Sequence, residues 1–182
     1  MMSDMNALKA ELDKRYEVDR LVVKRPDSAA LFCRTADLPD ALAYLRDHQG
    51  YVHLSFITCI DRLEEGEFEL VYMVRNHETR HDLALKTRIP RENSVMESVH
   101  GHWAAAATYQ RELREMFGIN FPGCPRVEES FALESWEGPP PMRRDFDTKK
   151  YSEDTYFPRP GRETHDPADH MRKTQYPGRA DI

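Results

Sequence analysis

The regular spacing of apolar residues in this sequence stops at Gly118, and this break restricts helices and strands to the part of the chain before it. Nine of the twelve prolines lie beyond the break, between Pro122 and Pro177. Proline fixes φ and has no amide hydrogen to donate, so a proline-rich segment resists both helix and sheet. The sequence therefore predicts a domain of residues 1–117 followed by a long irregular extension, residues 118–182.

The part before the break alternates between helical and strand patterns. Apolar residues recur at helical spacing over residues 6–15 and again from Leu38, while short β-like runs occupy residues 21–23 and 29–33. Three longer strand patterns follow, joined by turn residues: 51–60, 67–75 and 81–89. Strands that follow one another through short turns pair antiparallel. We therefore expect an α+β fold, with helices packed on a mostly antiparallel sheet.

A third helical pattern begins at Trp103 and ends at Phe117. Its apolar residues fall on one broad face: Trp103, Ala106, Tyr109, Leu113, Met116 and Phe117. Gly118 then stands where helices commonly close with a left-handed residue. On a helical wheel, Glu112 and Arg114 border the apolar face, whereas Arg111 and Glu115 are expected to face solvent.

Large aromatic residues are distributed along the extension: Phe121, Phe131, Trp136, Phe146, Tyr151, Tyr156, Phe157 and Tyr176. Disordered linkers are poor in aromatic residues, whereas a segment that becomes ordered on a partner needs large apolar anchors. The extension is therefore predicted to wrap around a partner protein.

Charge and hydropathy exclude two classes of partner. The 26 basic and 32 acidic residues give a formal net charge of −6, the wrong sign for a protein that mainly coats nucleic-acid phosphates. No run approaches the roughly 20 apolar residues that cross a bilayer. The three cysteines, Cys33, Cys59 and Cys124, are odd in number and far apart, which is typical of free thiols in a reducing compartment. We expect no nucleic-acid partner, no direct membrane span and a cytoplasmic location.

The sequence shows no residue set typical of a catalytic or cofactor site. His77 and His81 flank a strand turn rather than share a helix face, so their spacing does not bring both rings to one metal. The cysteines lack the clustering of iron–sulfur ligands. Gly118 and Gly123 follow a helix, whereas phosphate-binding glycines precede one. The chain is therefore predicted to hold no catalytic, cofactor-binding or metal-binding residues.

Two motifs lie around the start of the extension. Residues 110–123 read QRELREMFGINFPG, and residues 136–138 (WEG) and 141–146 (PMRRDF) form the second motif. Together they resemble the signature of the thirty-kilodalton subunit family. That family comprises the C subunit of NADH:quinone oxidoreductase (respiratory complex I) and its homologues in energy-converting, membrane-bound nickel–iron hydrogenases. The resemblance covers roughly residues 50–146.

Three positions depart from the family pattern. Gln110 replaces the first acid of a usual Glu-Arg-Glu, Cys124 stands in a usual Gly-His-Pro, and a usual Pro-Leu-Arg-Lys-Asp-Phe contains Met142 and Arg144 here. The residues after Phe146 also differ from the ending usual in complex I. These departures leave open which complex the chain would serve.

The resemblance implies a cofactor-free structural subunit in the peripheral arm, on the cytoplasmic side of the inner or cell membrane. It would pack against the large subunit homologous to the hydrogenase large chain and against adjacent iron–sulfur subunits. Iron–sulfur clusters, and a quinone or nickel–iron site, would lie in those partners. The whole complex would couple electron transfer from NADH to quinone with ion pumping. The alternatives are the equivalent subunit of an energy-converting hydrogenase, which passes electrons from ferredoxin or carbon monoxide to protons, and a free-standing adaptor.

The end of the third helix and the second motif are the predicted docking element. The residues expected to bind the partner are Arg111, Glu112, Arg114, Met116, Phe117, Gly118, Phe121, Trp136, Arg143, Arg144, Asp145 and Phe146. Arg143 and Arg144 are expected to pair with acids of the partner. Arg111 is a point of conflict, because the wheel turns it to solvent whereas the family signature includes it.

Overall fold

A computed structural model describes residues 2–133 and 136–156, so the predicted anchors Phe157 and Tyr176 lie outside the described residues. The chain divides into two compact units, with the boundary between Arg144 and Asp145. Residues 118–133 and 136–144 therefore belong to the same unit as the sheet. That the extension wraps a partner stays a prediction.

The first unit is an α+β fold, as the sequence predicts. Its helices are α1 (Met2–Leu12), α2 (Leu38–Gln49) and α3 (Ala106–Phe117), with a short 3₁₀ helix at Leu63–Glu65. Its strands are β1 (Val18–Arg25), β2 (Ser28–Cys33), β3 (His53–Arg62), β4 (Glu67–Asn76) and β5 (His81–Pro90). The five strands form one sheet in the order β1-β2-β5-β4-β3.

The sheet is antiparallel at every junction except one. The predicted meander of β3, β4 and β5 is confirmed, and β1 pairs antiparallel with β2. Strand β2 joins β5 in parallel, with Ala30 opposite Ala84 and Leu31 opposite Leu85. This parallel junction joins the two antiparallel parts into one sheet.

The hydrophobic core lies between one face of the sheet and the helices. Alternate residues of β4 point into it: Phe68, Leu70, Tyr72 and Val74, each completely buried. Helices α1 and α2 contribute rows of leucines, and α3 contributes Leu113 and Phe117. Burying a side chain of this size stabilises the fold by roughly 1.5–3 kcal/mol. The core thus fixes the position of α3 and of the chain that leaves it.

The second unit contains helix α4 (Thr148–Tyr156), which the sequence analysis did not predict. The Asp147 carboxylate accepts the amide of Lys150 at 2.9 Å, as an N-cap residue does. The Phe146 and Tyr151 rings lie 5.5 Å apart. The available signal was Asp147 at the start of a stretch without proline. Within residues 2–133 and 136–156, no helix is both long enough and apolar enough to span a membrane.

Candidate docking surface around the end of helix α3

Helix α3 ends as the sequence predicts. Gly118 has φ +76°, and its amide donates to the Arg114 carbonyl at 2.9 Å. This left-handed conformation disfavours any residue with a Cβ. Beyond it, Asn120 exchanges hydrogen bonds with the loop after β5, donating to Ser94 and accepting from Met96. The chain after the helix is therefore tied to the domain as soon as it emerges.

The second motif returns to this same helix end. Arg143 Nε donates to the Phe117 carbonyl at 2.7 Å, and the Met142 amide donates to the Met116 carbonyl at 3.1 Å. These bonds satisfy carbonyls that a helix end leaves without an intrahelical partner. A Cβ on Gly118 would lie 3.0 Å from an Arg143 nitrogen, so glycine also provides the space for this contact. The structure therefore brings the two sequence motifs together.

A buried carboxylate anchors the returning segment to the sheet. Asp61, with only 3% of its side chain exposed, accepts two hydrogen bonds from the Arg91 guanidinium at 2.9 and 3.1 Å. It also accepts the Arg144 amide at 2.8 Å. Two guanidinium groups lie close to the Phe68 ring, that of Arg91 at 5.6 Å and that of Arg143 at 5.4 Å from the ring centroid. Asp61 and Arg91 are residues that the sequence analysis missed.

The side chain of Arg144 lies at the surface of the domain. Its guanidinium pairs with the Glu64 carboxylate, and both side chains are about half exposed or more. This ion pair lowers the pKa of Glu64, although water screens such a pair. Arg143 and Arg144 thus have partners within the chain. Whether either also contacts another subunit stays a prediction.

Residues 126–133, here called the strap, cover the face of α3 that the wheel turned to solvent. The Glu115 carboxylate accepts the amides of Phe131, Ala132 and Leu133 at 2.8, 2.8 and 3.1 Å. Arg111 Nη2 donates to the Ser130 carbonyl at 2.8 Å. The expectation that Arg111 and Glu115 face solvent was therefore wrong, because a wheel shows only the helix and not the segments that pack on it.

The pKa of Glu115 is consistent with these hydrogen bonds to the strap. Burial alone would raise the pKa of this carboxyl, but the three amide donors and the nearby Arg111 hold the pKa below its usual range. At the margin of the helix, Arg114 pairs with Glu128 of the strap at 3.0 Å. Glu112 and Met116 stay partly exposed.

Apolar side chains are exposed on this surface as well as charged ones. Met142 is 57% exposed and Phe131 is 39% exposed. Trp136 is partly exposed, and its indole donates to the Pro139 carbonyl at 3.0 Å. Phe117 and Phe121, in contrast, are buried in the core, so their side chains shape the surface from below. Asp145 and Phe146 belong to the second unit.

The described residues show no group of three or more His, Cys, Asp or Glu side chains that could hold a metal ion. Burial raises the pKa of Cys33 and of Cys59 to about 12, and it raises the pKa of Cys124 as well. These thiols are therefore protonated at neutral pH and are weak nucleophiles. The geometry around α3 offers binding surface and structural ion pairs.

Comparison with known proteins gives one consistent family. The model of the family "Respiratory-chain NADH dehydrogenase, 30 Kd subunit" matches residues 31–152. The C subunit of NADH-quinone oxidoreductase from Roseiflexus sp. (strain RS-1) is 30% identical over 147 residues, which are 74% of this chain and 84% of that protein. The C/D subunit of the same enzyme from Pseudomonas fluorescens (strain SBW25) is 30% identical over 148 residues. These span 75% of this chain but only 25% of that longer relative.

A solved structure with the same fold is a chain of the membrane-bound sulfane sulfur reductase, an archaeal respiratory membrane complex. The superposition has a TM-score of 0.77 and 29% sequence identity, and it covers 85% of this chain and 91% of that chain. The similarity therefore extends over most of both chains.

Proposed function

Because the chain belongs to the 30-kDa subunit family of respiratory-chain NADH dehydrogenase, we propose that it is a structural subunit in the peripheral arm of a complex I-like oxidoreductase. Its task is to dock the large subunit that is homologous to the hydrogenase large chain. It holds no cofactor, and the iron–sulfur clusters and the quinone or nickel–iron site lie in its partners. It sits peripherally on the cytoplasmic side of the membrane.

The observation that carries this proposal is the convergence of both family motifs at the end of α3. Arg143 caps the helix carbonyls, and Asp61 holds the Arg144 amide. An irregular segment is thereby fixed to the sheet and presents Met142 outward. Because the segment is already held in place, it loses less conformational entropy when it binds a partner. Docking explains why a proline-rich segment needs so many specific anchors.

Met142 is the apolar anchor that this surface offers most openly. Burying a methionine side chain against a partner contributes roughly 1.5–3 kcal/mol. An aspartate at the same place would instead bring an unpaired charge into the contact. The surface is therefore most sensitive to charge at this position.

The test is purification of the complex through a tagged copy of this chain from cells that carry Met142→Asp. We expect the large subunit to be lost from the purified material. Val52→Asp is the matched control, because Val52 is also 57% exposed but lies before β3. Retention of the large subunit with Met142→Asp, or equal loss with both variants, would contradict docking at this surface.

A second candidate function follows from the similarity to the sulfane sulfur reductase chain. This similarity favours a role for the chain as the equivalent subunit of a membrane-bound complex that uses another electron donor or acceptor. An energy-converting hydrogenase is a complex of this class. Mass spectrometry of the co-purified subunits distinguishes these possibilities. A quinone-site partner supports complex I, and a large subunit with nickel-binding cysteines supports a hydrogenase. A chain that elutes alone supports the adaptor.

A further inference from the structure

The two edges of the five-stranded sheet are protected to different degrees. Strand β1 forms one edge and β3 forms the other. An edge strand directs every second backbone N–H and C=O away from the sheet, where another chain can pair with them. Proteins commonly protect such edges with charged side chains and with β-bulges.

The β1 edge carries both kinds of protection. Its pairing with β2 is interrupted by two register shifts, one near each end of the strand. Strand addition here would also bury part of several charged groups, which costs free energy. Four residues of β1 are both charged and exposed: Asp19, Arg20, Lys24 and Arg25.

The β3 edge lacks this protection over residues 56–60. Residues 54–60 read LSFITCI and include no charged residue and no proline. The register shift in the pairing of β3 with β4 lies between Leu54 and Phe56, and the pairing is regular from Phe56 onward. Regular, uncharged strands of this composition pair readily with other chains when they are exposed.

Both the backbone and the side chains of this stretch are available to a partner. Within the part of the chain that the structure describes, only β4 forms hydrogen bonds with the backbone of residues 56–60. Phe56 and Ile60 are 40% and 41% exposed, and Thr58 between them is exposed as well. The ligand that fits such an edge is an extended polypeptide, because its own N–H and C=O groups complete the hydrogen bonds.

The β3 edge is continuous with the docking surface at the end of α3. Just after β3, Leu63 is 36% exposed, and Glu64 pairs with the guanidinium of Arg144 in the second motif. Met142, the most exposed apolar side chain of the docking surface, lies two residues before Arg144. A partner bound at Met142 therefore also reaches the end of β3.

A strand bound at this edge alone would form only a small contact. Residues 56–60 are about 17 Å long, and a paired strand is about 4.8 Å wide. Stable interfaces bury about 800 Å² on each partner, so the occupant of the edge needs a further contact. The docking surface provides that contact for the large subunit, whereas a second copy of this chain would need an additional self-complementary surface.

We propose that the β3 edge at residues 56–60 binds an extended segment of the large subunit, which adds a sixth strand to the sheet. The inference rests on the proposed function, because the occupant is the subunit that docks at the end of α3. Backbone hydrogen bonds hold this segment, and Phe56 and Ile60 contact its side chains on the outer face of the sheet.

The first test places a photo-crosslinking amino acid at Thr58 of the full chain and purifies the complex after irradiation in cells. The expected product joins this chain to the large subunit. Arg20, exposed on the opposite edge strand, carries the crosslinker as the matched control and should give no such product. Equal yields from both positions would overturn the proposal. So would crosslinks from position 58 only to another subunit, to a second copy, to this chain's own residues, to lipid or to nothing.

The second test distinguishes strand addition from a contact made by side chains alone. Hydrogen exchange of residues 56–60 is measured at single-residue resolution in the full chain alone and in the purified complex. In the chain alone, the amides directed away from β4 should exchange fast. In the complex they should slow by roughly tenfold or more, because each gains a hydrogen bond. The amides of β1 are the control and should exchange equally in both samples. Outward amides of β3 that stay fast in a complex containing the large subunit would overturn strand addition.

The proposed function and the strand addition fail in different ways. If the wild-type chain co-purifies with no large subunit, the proposed function fails. If the large subunit co-purifies and Met142→Asp releases it, but position 58 gives no crosslink to it and the outward amides of β3 stay fast, then only the strand addition fails.

Discussion

At the scale of single residues, two positions show how local and distant signals differ. Gly118 is predictable because a helix that ends in glycine needs only its own sequence to be recognised. Asp61 is not, since its partners Arg91 and Arg144 are 30 and 83 residues away. It alternates with Ile57 and Cys59 along β3, but the predicted strand ended at residue 60, one residue before Asp61, so the need of a core-facing carboxylate for a partner went unnoticed.

We expect Asp61→Asn to lower the free energy of unfolding by roughly 1–3 kcal/mol, because it removes the charge from a buried acceptor of three hydrogen bonds, two from the Arg91 guanidinium and one from the Arg144 amide. Urea unfolding of the purified chain measures this loss. Glu64→Gln, which removes an exposed carboxylate from the same region, should change stability little. A small effect of Asp61→Asn would show that the buried ion pair does not anchor the returning segment.

Gly118→Ala should destabilise the chain by about 1 kcal/mol or more, and Gly118→Val should do so further. The reason is double: φ is +76°, and a Cβ would crowd Arg143 and Pro140. Gly101→Ala is the control, because its φ is not positive and a Cβ there meets no atom within 4 Å. The midpoint of thermal unfolding, measured for the variants at Gly118 and at Gly101, provides the comparison. Equal effects at both glycines would contradict the account of the helix end.

At the scale of elements, the strap explains why Arg111 and Glu115 of the first motif are charged. The wheel predicted the apolar face of α3 well, but it could not show that residues 126–133 pack on the other side. Hydrogen bonds from backbone amides to a carboxylate leave no periodic signal in the strap sequence. Helix α4 was missed for a related reason, since the many prolines around it masked a short stretch that has none.

Glu115→Gln should release the strap and speed hydrogen exchange at Phe131, Ala132 and Leu133. The side chain that accepts hydrogen bonds from these three amides loses its charge in this variant, which weakens the bonds. Glu112→Gln, one turn earlier on the same helix, is the control. Acid should have the same effect in the wild type. The folded-state pKa of Glu115 is depressed, so its contribution is present above the unfolded pKa and is lost as the pH falls through the folded pKa.

If hydrogen exchange at residues 131–133 stays slow in Glu115→Gln, then the Glu115 carboxylate does not hold the strap on α3. Arg111→Ala provides the companion measurement, because it removes the donor to the Ser130 carbonyl. The wheel predicts no effect of this change, whereas the structure predicts faster exchange in the strap.

At the scale of the whole molecule, strand patterns fix which face of each strand is buried but not which strands are neighbours. The meander of β3, β4 and β5 follows from short turns. The parallel junction of β2 with β5 does not, because many residues separate the two strands and the pairing depends on the shared core. The α+β class was therefore predictable, and the strand order was not.

The same limit applies to the docking surface. The family motifs located the right part of the chain, but the structure shows that several of their residues act within the domain. Phe117 and Phe121 fill the core, and Arg143 caps a helix. What remains for a partner is the apolar surface that these residues support, with Met142 as its most exposed part.

Hydrogen exchange in this chain, measured both alone and in the complex purified through it, tests docking through the end of α3 most directly. We expect the amides of residues 136–146 to exchange more slowly in the complex, while those of Leu70 and Leu85 in the core are equally slow in both. Unchanged exchange at residues 136–146 in a complex that contains the large subunit would contradict docking through the end of α3.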